Sequence, residues 1–160
     1  LVTTLIALAV IAPDPWYAPR FLLPILGMLT GNTLSGVALV LDALTSSAQR
    51  ERNTIEARIA LGATRLEAFD EILRRALRTG LMPVMNAMAA AGIVSLPGMM
   101  TGQILAGIDP LEAAKYQILI LFLIAGATAI AVVAAGLAAV HFLTDDRQRL
   151  RLDFLVGTKE

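Results

Sequence analysis

Three uncharged stretches constrain this chain more than any other feature: residues 21–41, 79–108 and 116–140 contain no Asp, Glu, Lys or Arg. A hydrocarbon layer about 30 Å thick takes about 20 residues of helix to cross. The first and third stretches are therefore long enough for one crossing each, and the second exceeds what a straight helix needs. Inside a bilayer, a helix satisfies every backbone N–H and C=O within its own segment. With 57% hydrophobic and 16% charged residues and a mean hydropathy of +0.72, the chain lies outside ordinary soluble composition. The expected fold class is all-α, a polytopic, multi-pass transmembrane helical bundle. Cys is absent and His141 is the one histidine, which excludes disulfides, thiolate metal sites and a His cluster within these residues.

In chain order, residues 1–12 are apolar but too short to cross, and they read as the end of a partial span. The chain opens at Leu1 inside that run, without an initiator Met or a basic leader. It is thus expected to be a fragment of one transmembrane domain, truncated at its N-terminus. Pro13, Pro15 and Pro19 break the run, with Trp16 and Tyr17 suited to a membrane interface. Spans are expected at about 21–44, 81–96 and 116–140. Gly27, Gly31 and Ser35 form a small-residue stripe in the first, and Ala127, Ala131, Ala135 and Ala139 form another in the last. Asn32 and Thr33 sit at membrane depth and must face protein or a wet path, so they serve either inter-helical hydrogen bonding or substrate contact. Asp42, at the end of its span, is expected to be a solvated cap or an ion ligand.

The charges collect elsewhere. Residues 46–78 carry Arg50, Arg52, Arg58, Arg65, Arg74, Arg75 and Arg78, against Arg20 and Lys115 in the flanking short loops. The positive-inside rule makes this loop, and the tail 141–160 with Arg147, Arg149 and Arg151, cytoplasmic. Within the loop, Ile55, Ile59, Leu66, Ile72, Leu73 and Leu77 recur at roughly helical spacing. Gly62 breaks the pattern and suits a left-handed helix end, while Thr64 and Glu67 read as a capping box opening the next helix. Two helices should meet at Gly62. An amphipathic linker lying on lipid headgroups is the alternative, weakened by the interspersed Glu51, Glu56, Glu67, Asp70 and Glu71. The same acidic residues argue against nucleic acid as a partner.

Residues 79–108 are divided in this reading by Pro83 and by Pro97-Gly98 into a span and an irregular segment holding Met99, Met100, Thr101, Gly102 and Gln103. Backbone that leaves helical form at membrane depth must be buried in protein or line water. With Asn32, Thr33 and Asn86, the residues Met99, Met100, Thr101 and Gln103 are the candidates for a substrate pathway. The methionines Met82, Met85, Met88, Met99 and Met100 could also be soft ligands or adaptable packing. No metal-ligating set can be named. Asp109-Pro110-Leu111-Glu112 reads as the start of a short outer helix, with Asp as N-cap and Pro at the first helical position.

Two resemblances add to this. Glu56-Ala57, then Leu61-Gly62-Ala63, then Phe69 resembles the cytoplasmic coupling loop of ABC-transporter permease subunits. Arg58 stands where that family often has a second Ala, and the closing Leu-Pro is missing. The resemblance implies that Glu56, Ala57 and Gly62, with Thr64 and Phe69, dock on an ATP-binding subunit. The run Ser95-Leu96-Pro97-Gly98-Met99-Met100-Thr101-Gly102-Gln103, followed by Asp109-Pro110-Leu111-Glu112-Ala113-Ala114-Lys115-Tyr116-Gln117, is similar to the FetB-type iron-export permeases and to plant aluminium-tolerance permeases. That likeness extends over about residues 24–151. It implies an inner-membrane permease that exports iron with a separate ATP-binding subunit, and a second permease copy and membrane lipid are the further expected partners. No phosphate-binding Gly-x-x-x-x-Gly-Lys-Ser/Thr loop occurs in these residues, so the chain is not expected to be an enzyme or to bind a cofactor. ATP and Mg belong to the partner. The alternatives are an ABC permease for a different small solute, or a membrane adaptor without transport.

Overall fold

In the computed structural model, residues 19–91, 98–145 and 150 are described. Helix α1 is Pro19–Arg50, α2 Arg52–Ala60, α3 Arg65–Ala90, α4 Gly98–Leu105 and α5 Pro110–Phe142. An isolated antiparallel bridge joins Thr144 and Leu150. The expected partial span 1–12, residues 13–18 of the proline loop, residues 146–149 and 151–160 of the tail, and residues 92–96 of the expected span 81–96 lie outside the described residues, while Pro19 and Arg20 of that loop open α1.

Among the described residues two helical segments are long and apolar enough to cross a membrane, Ile25–Arg50 and Pro110–Phe142. Only 22% and 28% of their most apolar stretches are buried within the chain. A soluble core helix would be covered on most sides. Here Leu34, Phe122 and Ile130 are exposed instead, a pattern suited to contact with lipid or further helices.

The chain divides into two compact units, and α1, α3 and α5 supply residues to both. In the unit formed by Ser35–Leu81 and the chain from Ala131, the core is a set of helical stripes: Val40, Leu44 and Ala48 on α1, Ile55 on α2, Ala68, Phe69, Ile72, Leu73 and Ala76 on α3, and Val132, Ala139 and Val140 on α5. Steps of three and four residues put each set on one face. Fully buried Leu44, Ile55 and Phe69 contribute about 1.5–3 kcal/mol each. Helices approach closely at Gly80, where an added Cβ would stand 2.9 Å from the Gly36 carbonyl oxygen and 3.0 Å from both Val40 and Val132. At Gly136 it would meet Leu73 and Leu77 at 3.0 and 3.1 Å. In the other unit, up to Leu34 and over Met82–Ile130, the buried side chains include Ile25 and Leu29 on α1, Val84 on α3, and Ala113, Gln117, Ile120, Ile124, Ala127 and Thr128 on α5.

Several expectations are corrected. Pro83 does not divide its stretch: α3 runs through it, because the proline removes one N–H donor and crowds one carbonyl while the rest of the 26-residue helix keeps its own bonds. Met99, Met100, Thr101, Gly102 and Gln103 are not irregular. They form α4, and its end is where the chain turns: Gly107 has φ +89°, Gly107 N donates to Ile104 O (3.0 Å), and Ile108 N to Gln103 O (3.0 Å). That pair of bonds closes the last carbonyls. No separate outer helix follows Asp109, because Leu111-Glu112-Ala113-Ala114-Lys115 are good helix formers and α5 continues unbroken to Phe142. Asp109 is nonetheless the N-cap, its Oδ1 accepting from Leu111 N at 2.9 Å. Asp42 caps nothing, since α1 continues two turns beyond it, although its side chain is exposed. Among the described residues an added Cβ at Gly27 or Gly31 meets nothing within 4 Å, whereas the stripe from Ala127 to Ala139 is buried or half-buried.

The glycine contacts predict a contrast. Gly80→Ala should destabilise by about 1–3 kcal/mol, because its new methyl meets a backbone oxygen that cannot rotate away. Gly31→Ala should be neutral or slightly stabilising through helix propensity. Thermal unfolding of the two variants in the same detergent, read by circular dichroism, checks this.

Candidate functional site

The charged loop folds as a helical hairpin. Glu51 alone separates α1 from α2: its N–H closes α1 on Ser47 O (2.9 Å), and its carbonyl accepts from Thr54 N (3.0 Å) and Ile55 N (3.1 Å). Helix α2 ends at Gly62, whose φ of +93° is open to glycine at little cost. Gly62 N donates to Ile59 O (2.9 Å) and Ala63 N to Arg58 O (3.1 Å), the paired bonds of a Schellman end. Helix α3 then opens with the expected box. Thr64 N and Oγ1 both donate to Glu67 Oε2 at 2.8 Å, and Glu67 N donates back to Thr64 Oγ1 at 3.4 Å. The backbone hydrogen bond from Thr64, then the one from its hydroxyl, holds the Glu67 carboxyl below the usual carboxylate range.

Packing and charge hold the two arms together. Ile55 is fully buried in the cluster formed by Ala68, Phe69, Ile72, Leu73 and Ala76, with Ile59 partly buried against it. Arg58 pairs with Glu71 at 3.5 Å and Arg75 with Glu51 at 2.7 Å, in the reversed order of an antiparallel hairpin. Arg65 Nη1 lies 2.7 Å from His141 Nδ1, joining the start of α3 to the end of α5. A guanidinium only donates, so His141 Nδ1 is the acceptor.

The docking candidates fall on different sides of this hairpin. Glu56, Ala57, Gly62 and Thr64 are exposed, with Glu56 held by Arg52 at 2.8 Å. Phe69 is 0% exposed and cannot touch a partner; it stands three and four residues from Ile72 and Leu73 and braces the hairpin from inside. Leu66, expected on the buried stripe, is exposed in the first turn of α3. Sequence reasoning passed over Leu61, which is 88% exposed at the turn. The signal was there, since at about 100° per residue Leu61 lies about 200° from the inward-facing Ile59.

The pathway candidates are spread over α1, α3 and α4 of one unit. Asn32 Nδ2 donates to Met28 O at 2.8 Å, a bond within its own helix. Asn32, Thr33, Met99, Met100 and Gln103 are half-buried, while Asn86 and Thr101 are exposed. Gln103 Oε1 is buried with no hydrogen-bond partner among the described residues. Among those residues no group of three or more His, Asp or Glu is placed to hold a metal ion.

Comparison with known proteins gives the following. The family model described as "Uncharacterised protein family (UPF0014)" matches residues 1–143. The "UPF0014 membrane protein slr1647" of Synechocystis is 47% identical over 115 residues, 72% of this chain and 44% of that protein. The "Probable iron export permease protein FetB" of Escherichia coli is 34% identical over 145 residues, 91% of this chain and 56% of that protein. The "Protein ALUMINUM SENSITIVE 3" of Arabidopsis thaliana is 37% identical over 114 residues, 71% of this chain and 42% of that protein. The chain thus spans about half the length of the curated relatives it matches. No solved structure matches it.

The capping box carries a pH dependence of known sign. Because the Glu67 carboxyl is lowered in the folded hairpin, its contribution is fully present above the ordinary Glu value and disappears as pH falls through the lowered one. Hydrogen-exchange protection of the Thr64 amide should fall over that acidic window. Glu67→Gln should flatten the dependence while leaving α3 helical.

Proposed function

The chain belongs to the uncharacterised family UPF0014 and is a membrane protein, and on that footing we propose that it forms part of the permease subunit of an ABC transporter. The subunit exports iron or another metal, and a separate ATP-binding subunit supplies the energy. The observation that carries this reading is the hairpin: a short, doubly capped knob with an exposed tip at Leu61 and Gly62, continuous through α3 with the chain's apolar part. The name of the E. coli relative, an iron export permease, supports the cargo.

Nucleotide-driven closure of two ATPase subunits pushes the tip around Glu56, Ala57 and Gly62. Helix α3 carries the displacement as a rod from Arg65 to Ala90, because a hydrogen-bonded helix tilts or shifts before it stretches. The hairpin lies on the cytoplasmic side in this scheme, as the arginine distribution of the loops favours. A second permease copy completes the membrane part, and lipid covers the exposed apolar faces. ATP and Mg are held by the partner. The aluminium in the name of the Arabidopsis relative suits a metal other than iron, and transport of another small solute is the second reading, favoured by the want of an acidic or His cluster among the described residues. A membrane adaptor would need only the knob.

Gly62→Pro removes the positive φ and Glu56→Arg reverses the charge beside Arg52. Both should abolish ATP-driven export from vesicles holding the full-length protein and its ATPase, with membrane insertion unchanged. Normal export by both variants would refute the coupling role. Co-purified ATPase whose hydrolysis depends on this protein, without any cargo moved, would favour the adaptor.

A further inference from the structure

Pairing uses up the charges of the hairpin unevenly. Glu51 takes Arg75 at 2.7 Å, Glu56 takes Arg52 at 2.8 Å, Asp70 takes Arg74 at 2.9 Å and Glu71 takes Arg58 at 3.5 Å. Glu67 is held by Thr64. The acidic residues that weaken a lipid contact in the sequence are thus all engaged. Arg65 lies against His141, and Arg50 reaches Ser47 Oγ at 3.5 Å. Arg78 remains: it is exposed, and among the described residues it has no hydrogen bond or ion pair.

Contacts within one unit fix its level. An added Cβ at Gly136 would meet Leu77 at 3.1 Å and Val40 at 3.6 Å, so Val40 on α1, Leu77 on α3 and Gly136 on α5 stand at one height. The next residues are Leu41, Arg78 and Leu137, each within about 1.5 Å of that height along its helix. Leu41 and Leu137 are 36% and 45% exposed, so apolar surface surrounds the guanidinium at its own level. Arg78 is also the last charge before the uncharged stretch 79–108, as Asp42 is the first after 21–41. The two do not face each other. Gly80 packs on Val40, and Arg78 and Asp42 each lie two residues, about 200°, round their helices from that contact.

A guanidinium at such an edge has hydrocarbon on one side and water on the other, and its long stem carries the charge to headgroup level. Headgroups offer phosphate there, and paired phosphate oxygens fit the fork of an arginine. We propose that Arg78 binds the phosphate of an anionic phospholipid in the leaflet on the hairpin side. Net negative charge on the lipid answers a cation that has no carboxylate of its own, whereas a zwitterionic headgroup brings its own cation. Lipid is the occupant, and not free phosphate, because Leu41 and Leu137 at the same height give acyl chains a surface to lie on. The site rests on pairing and level, and it stands whether or not the chain is a permease.

Native mass spectrometry of the full-length protein, mixed in detergent with phosphatidylglycerol or phosphatidylcholine, counts the lipid retained. Wild type should prefer phosphatidylglycerol, and Arg78→Gln should lower that preference about fivefold. Arg78→Lys should keep part of it, since the charge stays while the fork is lost. Arg74→Gln removes the same charge from an arginine already held by Asp70 and should leave the preference nearly intact. An equal fall in Arg74→Gln and Arg78→Gln would mean diffuse surface charge and overturns the site, as does a preference unchanged in Arg78→Gln. Displacement of the lipid by sodium phosphate would assign the position to a free anion and overturns lipid as the occupant. In lipid-free detergent the thermal midpoint of Arg78→Gln should match wild type, because the side chain has no partner to lose; a lowered midpoint would give Arg78 to the fold and overturns the proposal. Added phosphatidylglycerol should raise the midpoint of wild type more than that of Arg78→Gln.

Discussion

A helix end leaves its last carbonyls and the next helix's first amides without partners inside the helix, so a sharp turn between two helices must supply them. The chain meets that demand twice with the same pair of devices. At Gly62 and Gly107 a positive φ lets the last carbonyls be closed by the amides that follow, and Thr64 or Asp109 caps the next helix within two residues. The geometry of the hairpin depends on the first of these turns. An N-cap side chain is worth about 0.5–2 kcal/mol, and burying an aromatic ring such as that of Phe69 about 1.5–3 kcal/mol. An exposed ion pair gives about 0.2–1 kcal/mol. Caps and the Phe69 anchor therefore set the shape, and Arg58–Glu71 and Glu51–Arg75 trim the register.

That hierarchy explains what could be read from the sequence. The capping box at Thr64 and Glu67, the left-handed Gly62 and the Asp109 cap depend on residues within four positions of one another, and local spacing reveals them. Gly80 and Gly136 were not legible, because what makes a glycine necessary there is the arrival of Gly36, Val40, Leu73 or Val132 from elsewhere in the chain. Gly27 and Gly31 show the converse: the same small-residue spacing, with open space around an added Cβ among the described residues. Segment 98–105 was misread for a related reason. The glycines and the proline before it suggested irregular backbone, yet Met, Gln, Ile and Leu between them favour helix, and the real break falls at Gly107.

The candidate site was legible in outline and not in depth. Helical spacing put Ile55, Ile59, Ile72 and Leu73 on one stripe, and the structure buries or half-buries all four. It could not say that Phe69 completes that stripe while Leu66, which also fits the pattern, stays uncovered. A periodic pattern names a face but not what covers it, and at the tip of a hairpin nothing does.

Leu61 and the pair Gln117 and Thr128 break the pattern in opposite directions. Leu61 is an apolar side chain left exposed where charged neighbours would keep a soluble turn solvated, and the pair are polar side chains sealed into an apolar stripe. Folding alone accounts for neither: a polar residue at 61 and Val and Leu on α5 would serve stability as well or better. When local pattern, packing and polar satisfaction agree through most of a structure, the places where they part are where a second requirement acts. Leu61 at the tip of the hairpin and Gln117 and Thr128 on α5 are such places here.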